Sequence, residues 1–273
     1  MKNVITRSIS GIVYIAVLVA AILSGGSWLA SLLALMAVIG SYELAVMLSK
    51  PKIHRFLSII DYAVNALIVI GVYFAVCPMG GPAGKLLAIA GALILAREIA
   101  QLYSHDPSPV NNWSHSVLSY IYIGVPLATI PVIYYAVGSS HIVLALLIFI
   151  WINDTGAYCV GSLIGKHRLF ERISPKKSWE GFFGGLAFVL GAAAVMHYCF
   201  PTWYGQYTIG RMLLIAALTA IFATLGDLAE SLIKRSAGVK DSGNLIPGHG
   251  GILDRIDSLL LVAPAIALVL YLF

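Results

Sequence analysis

Long apolar runs, separated by short polar or Gly/Pro-rich breaks, recur along the whole chain. Runs such as Ile142–Ile150 do not alternate, which argues against a transmembrane barrel. A bilayer-crossing helix needs about 20 predominantly apolar residues, and its backbone groups must be bonded within the segment. The pattern predicts helices over roughly 8–24, 27–48, 56–77, 84–103, 116–137, 141–163, 181–199, 209–232 and 251–273. The predicted class is therefore an all-α, polytopic integral membrane protein with about nine transmembrane helices. The opening MKNVITRSIS lacks an A-x-A-like cleavage site and many further spans follow, so the first run reads as a retained helix.

Composition supports the same class. Of 273 residues, 60% are hydrophobic and 11% charged, where a soluble domain carries about 25% charged residues. A mean hydropathy of +0.92 excludes both an ordinary soluble globule and a disordered chain. Cys77, Cys159 and Cys199 show no CxxC spacing, so a zinc site or disulfide scaffold has no support. The net charge is +5, and its distribution is lopsided. Lys2, Arg7, Lys50, Lys52, Arg55, Lys166, Arg168, Arg172, Lys176, Lys177, Lys234, Arg235, Lys240 and Arg255 fall on one side of the predicted topology. Lys85 and Arg211 fall on the other. Positive-inside bias puts the N-terminus in the cytoplasm and accounts for the basic excess with no nucleic-acid partner. The polar stretch Ser104–His115 reads as a linker, dividing residues 1–103 from a middle part, 104–140, and a C-terminal part, 141–273.

The C-terminal part holds three clusters of groups that are expensive in a membrane: Trp151–Tyr158, Gly165–Gly181 and Gly226–Ser258. All three are predicted at the cytoplasmic side. An ionised Asp at a helix centre costs ~2.5–3.5 kcal/mol on the insertion scale. Asp227 shares a helical face with Glu230 and Ser231, as Asp254 does with Asp257. The dipole at a helix N-terminus would account for Asp254 and Asp257 without a site. It offers nothing to Asp227, which lies towards the C-terminal end of its helix. Carboxylates from two helices, with little His or Cys nearby, suit Mg²⁺, which leaves shell positions for water and phosphate. Asp227, Asp254 and Asp257 are the candidate metal ligands. Lys176, Lys177, Lys234, Arg235, Lys240 and Arg255 suit phosphate groups, although basic cytoplasmic loops are expected on topological grounds alone. Pro247–Gly251 permits tight turns, and no GxxxxGK[ST] P-loop occurs. His249 within it could be a general acid, a phosphate donor or a turn residue.

The third cluster carries a longer pattern: Ser231-x2-Lys234-Arg235-x4-Lys240-Asp241-x-Gly243-x2-Ile246-Pro247-x-His249-Gly250-Gly251-x2-Asp254-Arg255-x-Asp257. It resembles the signature of the phosphatidate cytidylyltransferases, the CDP-diacylglycerol synthases. Asn153-Asp154-Thr-Gly-Ala-Tyr158 and Ser174-Pro-Lys-Lys-Ser-Trp-Glu-Gly181 resemble that family's other motifs. The resemblance implies transfer of a cytidylyl group from CTP to phosphatidate, giving CDP-diacylglycerol and pyrophosphate for phospholipid biosynthesis. It also implies Mg²⁺ with K⁺ beside it, and a homodimer formed through the middle helices. The setting would be a bacterial inner membrane, with membrane lipid around the chain and the site facing the cytoplasm. On this reading Asp227, Asp254, Lys240 and Asp241 are catalytic. Asn153, Asp154, Ser174, Lys176, Lys177, Ser178, Glu180, Ser231, Lys234, Arg235, His249 and Arg255 contact substrate. Two alternatives are a CTP-dependent polyprenol or dolichol kinase and an ion-coupled transporter. The transporter would need polar groups on both sides of the membrane, whereas here they gather on one.

Overall fold

The computed structural model describes residues 2–48, 55–105, 108–245, 248 and 250–272. The first four helices are α1 (Lys2–Ser24), α2 (Gly26–Leu48), α3 (Arg55–Val76) and α4 (Ala83–Leu102). The next helical stretch is composite. It comprises α5 (Pro109–Ser119), a π-helical segment Tyr120–Gly124, α6 (Val125–Val132) and a second π segment, Ile133–Val137. Each π segment adjoins α6, which contains Pro126 and Pro131. Proline lacks an N–H and its ring displaces the carbonyl four residues back; for Pro126 that is Tyr122, so the helix widens in the first π segment instead of breaking. The Thr129 hydroxyl donates to the Pro126 carbonyl at 2.6 Å, occupying a backbone acceptor inside the turn.

The remainder is α7 (Ser140–Ile164), a hairpin of β1 (Arg168–Phe170) and β2 (Ser174–Ser178), then α8 (Trp179–Cys199), α9 (Pro201–Tyr204), α10 (Ile209–Ser236) and α11 (Leu253–Leu272). The hairpin strands are antiparallel, with Arg168 opposite Ser178 and Phe170 opposite Ser174. All nine predicted apolar segments are helical. Seven described helices are long and apolar enough to cross a membrane. In α1 the apolar stretch is the shorter Ile9–Ser24, and α4 carries Lys85, Arg97 and Glu98. The predicted linker is shorter than the sequence suggested, because the helix already begins at Pro109. Proline at the first helical position gives up an N–H that would have no partner there.

One hydrophobic core joins the parts: Leu33 of α2, Leu127 of α6, Leu146 of α7, Ala216 of α10 and Leu260 of α11 all belong to it. It contains residues from each of the three stretches into which the sequence was divided. A second, polar centre ties the N-terminal helices together. Asp61 of α3 pairs with Arg97 of α4 at 3.5 Å, accepts from the Ser116 hydroxyl at 2.9 Å, and accepts from the Tyr120 hydroxyl. Asn65 donates to the Ser41 and Ser119 hydroxyls at 2.7 and 3.1 Å. These bonds compensate charges that are almost wholly buried.

Candidate active site

The site is assembled where the C-terminal end of α7, the hairpin, the end of α10 and the start of α11 meet. The hairpin is fixed first. Ser178, at the N-cap of α8, accepts from the Gly181 N–H at 3.1 Å. Two residues on, in the first turn of α8, Glu180 turns back and accepts from the backbone N–H of Lys166 at 3.1 Å and of His167 at 3.2 Å. Its carboxylate therefore anchors the chain entering β1.

Lys177 at the end of β2 is then held across the gap, with its ammonium 2.6 Å from Asp227 of α10. The Ser231 hydroxyl, one turn further along α10, donates to the other Asp227 oxygen at 3.3 Å. Asn153, Asp154, Lys176, Lys177, Ser178 and Asp227 line a single cavity of about 610 Å³, together with Arg168 and Thr224. That lies within the ~300–1,000 Å³ usual for small-molecule sites.

Close contact between α10 and α11 brings in the next carboxylate. A Cβ added at Gly226 would lie 2.6 Å from the Asp257 carbonyl oxygen, so only glycine lets the two backbones approach this far. The Ser258 hydroxyl donates to the Ala223 carbonyl at 3.1 Å across the same contact. Asp154, Asp227 and Asp257 come near enough for Asp227 and Asp154 both to act electrostatically on Asp257.

Asp254, one turn before Asp257, has a different environment. One oxygen accepts from Lys234 at 2.7 Å. The other accepts from the Ser242 N–H at 2.9 Å and the Gly251 N–H at 2.9 Å. Lys234 also pairs with Glu230, whose side chain is fully buried and keeps one oxygen without a hydrogen-bond partner. Glu43 of α2 supports the same loop: it accepts from the Ile252 and Leu253 N–H groups at 2.9 and 2.8 Å. The Ser242 hydroxyl sits between these acids, 3.1 Å from Glu43 and 3.0 Å from Asp254. Glu43 thus caps the N-terminus of α11 from another helix.

The other predicted site residues fall around this centre. Lys240 and Asp241 are exposed on the loop after α10. Arg235 is exposed and donates to the Val239 carbonyl at 3.3 Å. Ser174 opens β2, and Lys176 is exposed at the cavity. The Arg255 carbonyl accepts from Tyr14 of α1 at 3.1 Å, while the guanidinium acts on Asp154. His249 lies outside the described residues. Glu43 and Tyr14 were missed in the sequence. A lone acid in the apolar run of α2 was the available signal for Glu43; Tyr14 carried none.

Among the described residues no three His, Cys, Asp or Glu side chains converge closely enough to enclose a metal ion alone. Mg²⁺ does not require that, since water and phosphate complete its shell. The chemistry of the donor set fits it. Asp154, Asp227, Glu230, Asp254 and Asp257 face Lys177, Lys234 and Arg255. Acids outnumber bases in this set, and one Glu230 oxygen is an acceptor without a hydrogen-bond partner among the described residues. Asp257 has one oxygen without a hydrogen-bond partner among the described residues, and the two Asp227 oxygens are held only by side chains, Lys177 and Ser231, that could turn to a phosphate instead. Both oxygens of Asp254 are already committed.

A sequence model described as the cytidylyltransferase family matches residues 5–273. A protein named phosphatidate cytidylyltransferase from Staphylococcus haemolyticus is 42% identical over 156 residues, 56% of this chain and 57% of that relative. Proteins of the same name from Staphylococcus epidermidis and Haemophilus influenzae are 46% identical over 133 residues and 45% over 124. Those alignments cover 49% and 45% of this chain, and 50% and 43% of the relatives. The chain spans about half the length of the curated relatives it matches.

Proposed function

The chain belongs to the cytidylyltransferase family, and from that premise we propose that it transfers the cytidylyl group of CTP to phosphatidate. The products are CDP-diacylglycerol and pyrophosphate. An oxygen of the phosphatidate phosphate attacks the α-phosphorus of CTP. A new P–O–P link forms, the bond from the α-phosphorus to the oxygen bridging the α- and β-phosphorus atoms breaks, and the electron pair leaves with pyrophosphate. No covalent protein intermediate is needed. The observation that carries the reading is the mixed lining of one cavity, Lys176 and Lys177 beside Asp154 and Asp227.

In this reading Lys176 and Lys177 bind triphosphate oxygens, with Ser174 and Ser178 beside them on β2. Lys177 would exchange its Asp227 partner for phosphate, freeing that carboxylate. Asp227 and Asp257 would hold Mg²⁺, with K⁺ as the second cation that the resemblance implies. Bound there, Mg²⁺ would supply Lewis-acid charge neutralisation to the phosphates. Asp254 and Lys234 position the loop that carries Lys240, Asp241 and Ser242. Arg255 and Lys240 remain as basic groups for the lipid phosphate. The proposal includes a homodimer in a bacterial inner membrane, with the site at the cytoplasmic face as the basic residues indicate.

The test is pyrophosphate release by the purified full chain with CTP and Mg²⁺. Release that requires phosphatidate supports the proposal. Absence of release with phosphatidate, or equal release without it, contradicts it.

A further inference from the structure

A groove of about 510 Å³ runs along the outer surface between α1 and α2, and its lining is almost wholly apolar. Val13 and Val17 of α1 and Leu35 of α2 stand about half exposed in it. Leu245 and Ile252, from the loop that leads into α11, complete the lining. That loop is the one pinned by Asp254 and Glu43. Tyr14 belongs to the groove as well, and its hydroxyl donates to the carbonyl of Arg255, between Asp254 and Asp257. The groove therefore touches the turn that carries Asp254 and Asp257, through Tyr14 and Ile252.

Its length is informative. The lining runs from Ile9 to Leu18 along α1. At 1.5 Å per residue that is a rise of roughly 13–14 Å. One leaflet of a hydrocarbon core ~30 Å thick is about 15 Å deep. An apolar groove about as long as a leaflet is deep, touching the turn that carries the site's acids, suits a lipid whose head lies at that turn and whose tail runs towards the midplane.

We propose that this groove seats one acyl chain of the phosphatidate substrate while its phosphate lies at the site beside Arg255; the inference rests on the function proposed above. The α1–α2 wall then sets how the enzyme responds to acyl-chain length. Bulk membrane lipid is the competing occupant, and it has no reason to prefer a phosphatidate head.

Phosphatidate bearing a photoreactive group near the end of one acyl chain, and phosphatidylcholine bearing the same group, are irradiated with the full chain in detergent micelles. The phosphatidate probe should label α1 and α2 at the groove, and unlabelled phosphatidate should suppress most of that labelling. Equal labelling by the two probes, or labelling that phosphatidate does not suppress, would overturn the inference. Val17→Trp and Leu35→Trp fill the groove. Each should raise the ratio of KM for dioleoyl to dihexanoyl phosphatidate about tenfold, the scale on which apolar pockets discriminate. An unchanged ratio in both variants would also overturn the inference. A variant inactive on both lipids has misfolded, and labelling of the wild-type chain then decides. Absence of phosphatidate-dependent pyrophosphate release in the wild type sinks the function reading instead, whatever the labelling pattern.

Discussion

Asp254 and Asp257 stand one turn apart on α11, yet among the described residues Asp257 alone of the two keeps an oxygen without a partner. Asp254 accepts from Lys234 and two loop N–H groups, whereas one Asp257 oxygen accepts only from its neighbour's N–H at 2.6 Å. The sequence placed both on one face, but no spacing rule says which lone pairs a loop will occupy. This separates two predictions. Asp227→Asn and Asp257→Asn should lower turnover about 10²–10³-fold, as loss of one group stabilising developing charge does, and leave thermal stability intact. Asp254→Asn removes charge from a buried, hydrogen-bonded node and should cost about 1–3 kcal/mol of stability. Turnover and unfolding midpoints of the three purified variants check this. A stable Asp254→Asn protein with lost Mg²⁺ dependence would return Asp254 to the metal. Lys177→Ala should raise the CTP requirement, read as KM for CTP. Glu43 shows the limit of reading clusters alone: its partners Ile252 and Leu253 are some two hundred residues away in sequence.

Helices were legible as elements because a bilayer-spanning segment must be long, apolar and internally bonded. Their ends were not. Pro109 begins a helix inside what reads as a linker, and strands of three and five residues have too little pattern to find. Helix contact was less legible still. Gly226 is one glycine among 26, and its importance comes from the Asp257 carbonyl facing it. Gly226→Ala must push α10 and α11 apart. It should destabilise the fold by about 1–3 kcal/mol, as overpacking does, and reduce activity further by separating Asp227 from Asp257. An unfolding midpoint and turnover equal to wild type would contradict that account of the contact. Glu43→Gln weakens the acceptor at the start of α11 and should lower the unfolding free energy by an amount typical of a charged hydrogen bond, about 1.5–3 kcal/mol.

For the molecule as a whole, the basic residues predict an orientation. Lys176 is exposed at the site, and Met79 is exposed between α3 and α4 at the opposite end. With native Cys77, Cys159 and Cys199 replaced, cysteine at Lys176 should react with an impermeant reagent from the cytoplasmic side, and cysteine at Met79 from the other. The reverse pattern would invert the topology. A site at that face could take a soluble nucleotide from the cytoplasm and a lipid from the membrane, as the proposed function requires. The most direct measurement of the central claim is the fate of phosphorus. CTP labelled at the α- or the γ-phosphorus is incubated with the full chain, Mg²⁺ and phosphatidate, and the lipid is extracted. The account predicts α-label in the lipid and γ-label in pyrophosphate; γ-label in the lipid, or no label in it from either position, would contradict it.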